Sequence, residues 1–489
     1  MSENEEYKDI VIVGAGLSGI GAACHLKREC PNKNFIILEA RANIGGTWDL
    51  FKYPGIRSDS DMFTLGYKFK PWRSGKAIAD GPSILNYIKD TAEENKIVES
   101  IRFNKTLVEA NWDSLNKTWK LKLRDTLSKT YSYIQCNFLY MCSGYYNYEK
   151  PYCPDFLGAK NFKGTIIHPQ LWKESTNYTD KIVTVIGSGA TAVTLVPELA
   201  KKARKVVMLQ RSPTYLIARP SEDWFANLMR VVFSSRLAYA ITRFRNILFQ
   251  EYIYKKSRRH PTKLKNKLLR EVRKEVGDSI NVDQHLTPKY NPWDQRLCLI
   301  PDGNLYDVLK NKKAEIVTDE IIEFNEFGIR LKSGRQLDSD IIITATGLNL
   351  QTMGGATIKI DNEEVDLSKC WTYKGIMISD IPNMVSTFGY INASWTLRAD
   401  LISEWVCKLI NFMDQERSKS VTPIASDTIN WPEPKDWIDD FSSGYMKRAM
   451  KNFPKQSKSQ PWINSQDYRL EKKLFNQALR NDKALIFQH

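Results

Sequence analysis

The sequence holds no C-x-x-C pair, and its eight cysteines (Cys24, Cys30, Cys136, Cys142, Cys153, Cys298, Cys370 and Cys407) are scattered. Zinc ribbons and thioredoxin-like dithiols need closely spaced thiols, so neither fits. Only five histidines occur and they do not cluster, so no metal site is expected. No uninterrupted apolar run reaches the ~18 residues of a transmembrane helix. The opening MSENEEYKD is acidic and polar, unlike a secretory leader, and a cytoplasmic setting is expected. Extremes of composition are missing as well. With 42% hydrophobic and 26% charged residues, the 489-residue chain is neither disordered nor collagenous nor a disulfide scaffold. At ~100–200 residues per domain it has room for two to four.

What is present begins with a formal charge of +15. Such a charge attracts nucleic acid, anionic membrane or a phosphorylated cofactor without choosing among them. The choice comes from two stretches with one grammar. Asp9-Ile-Val-Ile-Val13 is an apolar run of the kind a buried parallel strand needs, Gly14-Ala-Gly-Leu-Ser-Gly19 follows, Ile20–Glu29 reads as helix, and Phe35–Leu38 is a second strand ended by Glu39. Downstream, Ile182–Ile186 is a strand, Gly187-Ser-Gly-Ala-Thr-Ala192 a turn, Val193–Lys202 a helix and Lys205–Leu209 a strand. The turns start 173 residues apart, which is too far for a solenoid repeat and suits two dinucleotide-binding units.

The first loop predicts an FAD site. Gly14 permits the tight turn, Gly16 admits a pyrophosphate against the backbone, and Gly19 lets helix and strand pack closely. The helix N-terminus then faces the phosphates with its partial positive charge. Glu39 accepts from a ribose hydroxyl and repels a 2′-phosphate, so this site suits FAD or NAD and not NADP. The second loop predicts an NADPH site. Gly187, Gly189 and Ala192 follow the G-x-G-x-x-A variant, with Ser188, Ala190 and Thr191 between them. No acid closes its second strand. Arg211 stands there instead, suited to a 2′-phosphate.

The predicted class is therefore α/β, with two Rossmann-like domains. Residues 1–145 begin the FAD domain and 146–220 the NADPH domain; 221–285 form a helical insertion in the latter; 286–345 complete it, and 346–489 return to the FAD domain and end in a tail. Trp119–Leu123 and Tyr131–Met141 read as meander strands, and the tail beyond about 413 has no clear pattern.

Two such cofactors in one chain imply electron transfer from nicotinamide to flavin. A disulfide reductase would need a cysteine pair by the flavin. Cys24/Cys30 and Cys136/Cys142 are the candidates, and neither has the short spacing. Oxygen is the better acceptor, through a C4a-peroxyflavin shielded from water.

At this point a resemblance becomes specific. Phe162-x-Gly164-x-x-x-His168-x-x-x-Trp172 resembles the fingerprint of the Baeyer–Villiger monooxygenases, which are class B flavoprotein monooxygenases; Lys173 replaces their usual Pro or Asp. Gly46-Thr47-Trp48 with Tyr53-Pro54-Gly55 and Asp59 is similar to the pattern that family shows after its FAD loop, and Ala345-Thr346-Gly347 to its later glycine motif. Residues 45–72, 142–147, 291–298, 346–349 and 392–395 resemble the ethionamide-activating mycobacterial branch and its bacterial relatives.

The resemblance implies an NADPH- and O2-dependent FAD enzyme that turns ketones into esters or lactones and oxidises thioethers or thioamides. It implies Arg296 as the catalytic cation and Asp59 as the carboxylate that orients it; Asp59 reads equally as a helix cap in Ser58-Asp-Ser-Asp61. It gives His168 and Trp172 a coupling role, beside the plainer reading of a packed linker. Trp395 is either a wall of the substrate pocket or core. Gln295 stands where many relatives carry a lysine for the 2′-phosphate, so NADPH selectivity falls more heavily on Arg211. Two alternatives stay open: a nitrogen- or sulfur-oxygenating enzyme without Baeyer–Villiger activity, and a flavin- and NADPH-binding redox sensor.

The stretch 243–274 is rich in Arg and Lys, with Leu248, Ile253, Leu264, Leu268 and Leu269 interleaved. It reads as a solvated helix face or as an amphipathic helix on anionic lipid, the first being preferred. No motif supports nucleic-acid binding. The oligomeric state is open.

Overall fold

A computed structural model describes residues 6–425, 434–439 and 441–489. The first five residues of the acidic N-terminal segment, and residues 426–433 and 440 of the tail, lie outside that description.

Two sheets organise the chain. Strand β1 (Glu6–Val13), helix α1 (Leu17–Glu29) and strand β2 (Phe35–Leu38) open the first. β1 pairs in parallel with β2 on one side and with β3 (Tyr131–Met141) on the other. Both neighbours and both faces of β1 are covered, so Ile10 to Val13 are all buried, as a continuous apolar run demands. The antiparallel meander of residues 105–141, a return strand at Thr357–Ile360 and three short strands (Ile101–Arg102, Glu363–Glu364 and Met384–Ser386) extend this sheet to nine strands.

The second sheet is five-stranded and parallel throughout. Strand β4 (Ile182–Ile186) leads to helix α2 (Ala190–Leu199) and strand β5 (Lys205–Gln210). Strand β6 (Ile341–Thr344) pairs with β4 on the other side. α2 begins and ends three residues earlier than its apolar pattern suggests, because the cradle at Gly189 starts the helix at once.

The insertion is helical, as expected, with α3 (Trp224–Val232), α4 (Ser235–Arg259) and α5 (Pro261–Val276). Its placement is divided. Val272 and Val276 of α5 pack with β4 and α2 in the second core. α4 instead crosses to the side of the first sheet, where Arg243 donates to the carbonyls of Phe63, Thr64 and Gly66 at 2.9, 3.1 and 2.7 Å. Three buried carbonyls and the Asp400 carboxylate, 3.4 Å away, take up the charge of this buried arginine. Leu268 and Leu269 are buried against protein, and Leu248, Ile253 and Leu264 are half-buried. Among the described residues no helix is long and apolar enough to cross a membrane.

The C-terminal region has structure that its sequence does not announce. Helix α6 (Trp395–Gln415) packs on α1, and Ser420–Pro423 pairs with Leu485–Gln488. Arg398 of α6 is fully buried and donates twice to Glu471, at 2.9 and 2.8 Å. Removing one partner of such a pair costs roughly 3–5 kcal/mol, which ties the C-terminal segment to the core.

Candidate active site

Both glycine loops open on one cavity of about 1370 Å3. A site for one small ligand is usually ~300–1,000 Å3, so this volume has room for more. Gly14 turns the chain at φ +104°, and a Cβ there would lie 2.6 Å from the Cys142 carbonyl. A Cβ on Gly19 would lie 1.8 Å from the Gly14 carbonyl, so helix and strand touch backbone to backbone. Gly189 differs: a Cβ there would meet nothing within 4 Å. It would project into the space before the N-terminus of α2, a cradle of the kind that a phosphate fills.

Glu39 closes β2 on the same cavity. It accepts the Ala15 amide at 2.7 Å and the Arg41 amide at 2.9 Å. A carboxylate accepts about four bonds, so capacity for a ribose remains. Burial raises its pKa above the usual carboxylate value, and the two amides pull it back. Gly46, Thr47 and Trp48 line the facing wall, where Thr47 bonds the Tyr148 hydroxyl at 3.1 Å. At the second loop, Ser188 donates to the Ser212 carbonyl at 2.9 Å, and Arg211 is exposed on the cavity rim. Gln295 and Gly347 line the cavity too, as do Gly187, Ala190 and Thr191; Ala192 packs beneath in the core.

Arg296 projects from a tight turn in which Asp294 accepts the Asn291 amide at 3.0 Å and Trp293 takes φ +71°. That left-handed conformation costs a bulky residue of the order of 1–3 kcal/mol, which the surrounding contacts hold in place. Burial works against the Arg296 charge. Asp59 above all, then Tyr145, Tyr445 and Tyr146, outweigh it and hold the guanidinium above its ordinary pKa.

Asp59 also lines the cavity, half-buried. Among the described residues no ion pair joins it directly to Arg296; the two act on each other by charge across the cavity. The capping role expected as the alternative for Asp59 belongs to Asp61. Asp61 is the N-cap of the short helix Met62–Leu65 and accepts the Thr64 amide at 3.0 Å.

The fingerprint residues do not line the cavity; they brace it. His168 Nδ1 accepts the Gln170 amide at 3.1 Å, so Nε2 carries the proton and donates to the Gly347 carbonyl at 3.1 Å. Burial lowers the His168 pKa, and the Gly347 bond only partly opposes it. Gly164 has the Asp340 carbonyl where a Cβ would sit, at 2.4 Å. Phe162 and Trp172 are buried, Trp172 in the second core with Phe51 and Tyr53.

Trp395 is a cavity wall and a packed residue at once. It stacks on Tyr145 with ring centres 5.2 Å apart and donates from its indole to Ser18 at 2.8 Å. The cysteine pairs considered for a disulfide reductase are free and buried. Cys142 and Cys298 reach the cavity, and burial pushes both thiols up to about 12, away from thiolate chemistry.

Several lining residues were not singled out individually in the sequence. Arg57 donates to Thr194 Oγ1 and to the Leu299 carbonyl, the latter at 2.7 Å, and sets a second guanidinium near Asp59. The Tyr145 and Tyr146 hydroxyls bond each other at 2.7 Å. Burial raises the pKa of both, and of Tyr445, so all three stay protonated at neutral pH. Phe441, Tyr445 and Arg448 come from the tail, and Arg448 lies over the Tyr152 ring at 3.5 Å from its centre. Arg57 lies inside the resembling stretch 45–72, and Tyr145 and Tyr146 lie inside 142–147; Phe441, Tyr445 and Arg448 lie in none of the resembling stretches.

Comparison with known proteins agrees with this geometry. A family model for flavin-binding monooxygenase-like proteins matches residues 78–289, and one for an NAD(P)-binding Rossmann-like domain matches residues 12–70. The chain is 47% identical to the FAD-containing monooxygenase EthA of Mycolicibacterium smegmatis, covering 99% of this chain and 97% of that one. It is 45% identical to the probable FAD-binding monooxygenase AlmA of Acinetobacter baylyi, covering 99% and 96%. Among solved structures, an oxidised steroid monooxygenase bound to NADP superposes with a TM-score of 0.81 at 21% identity, over 99% of this chain and 100% of that one. OTEMO in complex with FAD and NADP superposes at 0.75 and 20% identity, over 98% and 99%. At such identities the likeness speaks for the fold.

Proposed function

This chain belongs to the FAD-containing flavin monooxygenases, and from that premise we propose that it uses NADPH and O2 to convert ketones to esters or lactones and to oxidise thioethers and thioamides. When bound, FAD on the first loop would carry electrons from NADPH on the second to O2, and one atom of that O2 would pass to the substrate. For a ketone the balance is ketone, O2, NADPH and a proton giving ester, NADP+ and water.

The protein supplies binding, charge and dryness. The N-terminal amides of α1 and α2 would hold the pyrophosphates of FAD and NADPH. Glu39 accepts from a ribose of FAD, and Arg211 pairs with the 2′-phosphate of NADPH. Arg296 remains a cation at any working pH and stabilises negative charge growing on the substrate carbonyl oxygen. Asp59 holds that guanidinium charged and orients its field. Tyr145, Trp395, Phe441 and Tyr445, which pack in one apolar cluster, keep water from the reacting atoms. His168 couples the position of the second domain to Gly347 at the cavity wall.

The observation that supports this reading most directly is the single cavity shared by both glycine loops and Arg296. The test is FAD-loaded protein with NADPH, isotopically labelled dioxygen and a panel of ketones and thioethers, read by mass spectrometry. One labelled oxygen in an ester is the expected result. Labelled sulfoxide without ester would move the assignment to soft-nucleophile oxygenation, and hydrogen peroxide alone would overturn it. The partners in this reading are small molecules and O2; contact with lipid is a separate matter.

A further inference from the structure

Helices α3 and α4 pack on each other and bury one side against the protein through Ala226, Tyr239, Thr242 and Asn246. The other side is apolar and, among the described residues, uncovered. Trp224, Leu228 and Val231 fall one helical turn apart on α3 and are 74%, 48% and 85% exposed. Val232 and Phe233 continue the surface through the turn, and Leu237 and Phe244 carry it along α4, with Phe244 65% exposed. Monomeric proteins rarely leave contiguous apolar surface open, and such a patch marks an interaction site.

Charge identifies the occupant. α3 and the first half of α4 carry Arg230, Arg236, Arg243 and Arg245 and no carboxylate; Arg243 is buried, and Arg245 pairs with Asp223, which precedes α3. Arg236 is exposed within the patch itself. A second copy docking by the same face would bring these like charges together, whereas a surface of anionic headgroups is attracted by them. A tryptophan at the rim suits the boundary between headgroups and acyl chains.

We propose that the outer face of α3 and the first half of α4 docks this protein on an anionic lipid bilayer, with Trp224, Val231, Val232 and Phe244 entering the headgroup–acyl boundary. The surface differs from the basic stretch as its sequence reads, since Leu268 and Leu269 face the core. It is independent of the redox reading, because none of these side chains lines the cavity.

The test sediments the FAD-loaded full chain with vesicles of equal parts phosphatidylglycerol and phosphatidylcholine, and with phosphatidylcholine alone, at low and high salt. Binding to the anionic vesicles, weakened by salt, is expected. Val231→Ser and Phe244→Ser should each lower the partition coefficient about tenfold, by losing one buried apolar side chain, and Arg236→Glu should lower it too. NADPH oxidation in solution should be unchanged in all three. Failure of the parent to bind anionic vesicles, or equal binding by the serine variants, would overturn the proposal. So would a parent dimer that the serine variants dissociate, since a second copy would then cover the face.

Discussion

Asp294 and Ser442 are joined twice: the Asp294 carbonyl accepts the Ser442 amide at 2.7 Å and the Ser442 hydroxyl at 2.9 Å. The pair fastens the C-terminal segment that carries Phe441 and Tyr445 to the turn that carries Arg296. One side of the reaction cavity is therefore closed by residues that follow Arg296 by almost 150 positions.

Arg296→Ala should lower ester formation by about 10²–10³, the usual loss on removing one group that stabilises a developing oxyanion. Rapid-mixing absorbance should still show flavin reduction by NADPH. If reduction fails as well, Arg296 serves the nicotinamide cofactor instead.

Asp59 and Asp61 should separate cleanly. Asp61→Ala removes the cap on Thr64 and the acceptor for Asn246 at 3.0 Å and Gln250 at 2.6 Å. A stability loss of about 2 kcal/mol is expected in denaturant melts. Asp59→Asn should leave the melting curve in place and lower turnover.

Arg211→Gln should raise KM for NADPH about 10- to 100-fold, the worth of a charge-assisted bond to a phosphate, with little change for NADH. Steady-state kinetics with both cofactors decides this. Equal losses for both would remove Arg211 from 2′-phosphate recognition.

Two glycine-to-alanine changes should behave oppositely. At Gly19 the new Cβ falls 1.8 Å from the Gly14 carbonyl, so the strand–helix contact must open and FAD retention on purification should fail. At Gly189 the new Cβ meets no protein atom within 4 Å, so the melting temperature should hold while KM for NADPH rises.

His25 makes stability depend on pH. It is buried between Glu29 at 3.2 Å and Asp400 at 3.4 Å. Burial opposes its charge, as does Arg28, but the bonds to Asp400 and Glu29 prevail and raise its pKa above the ordinary value. A group bound more tightly to its proton in the folded state stabilises fully below its unfolded pKa of about 6.5. That contribution is lost as pH rises through the folded pKa. The difference in melting temperature between parent and His25→Gln should shrink as pH increases from about 6.5; a difference that grows with pH would show that His25 is held neutral.

Both glycine loops, the strands beside them and the strand-end residues Glu39 and Arg211 were legible because each βαβ unit is local. Its turn, its apolar strand and its helix start are neighbours in sequence, and backbone sterics permit few alternatives. The fingerprint was legible only as a resemblance; its bracing of Gly347 through His168 depends on a contact across 179 positions.

The sequence by itself determined that two glycine loops each follow a buried strand and open a helix, as a dinucleotide cradle requires. Only the tertiary structure decided what stands between them. Which aspartate caps and which faces the cavity, that Arg57 and the tail's Tyr445 join Arg296, and that Trp224 and Val231 lie open while Leu268 and Leu269 do not, are all decided at long range. Periodicity reports that a helix has an apolar side. Whether another segment of the chain covers that side is settled by packing between residues far apart, and no local pattern encodes it.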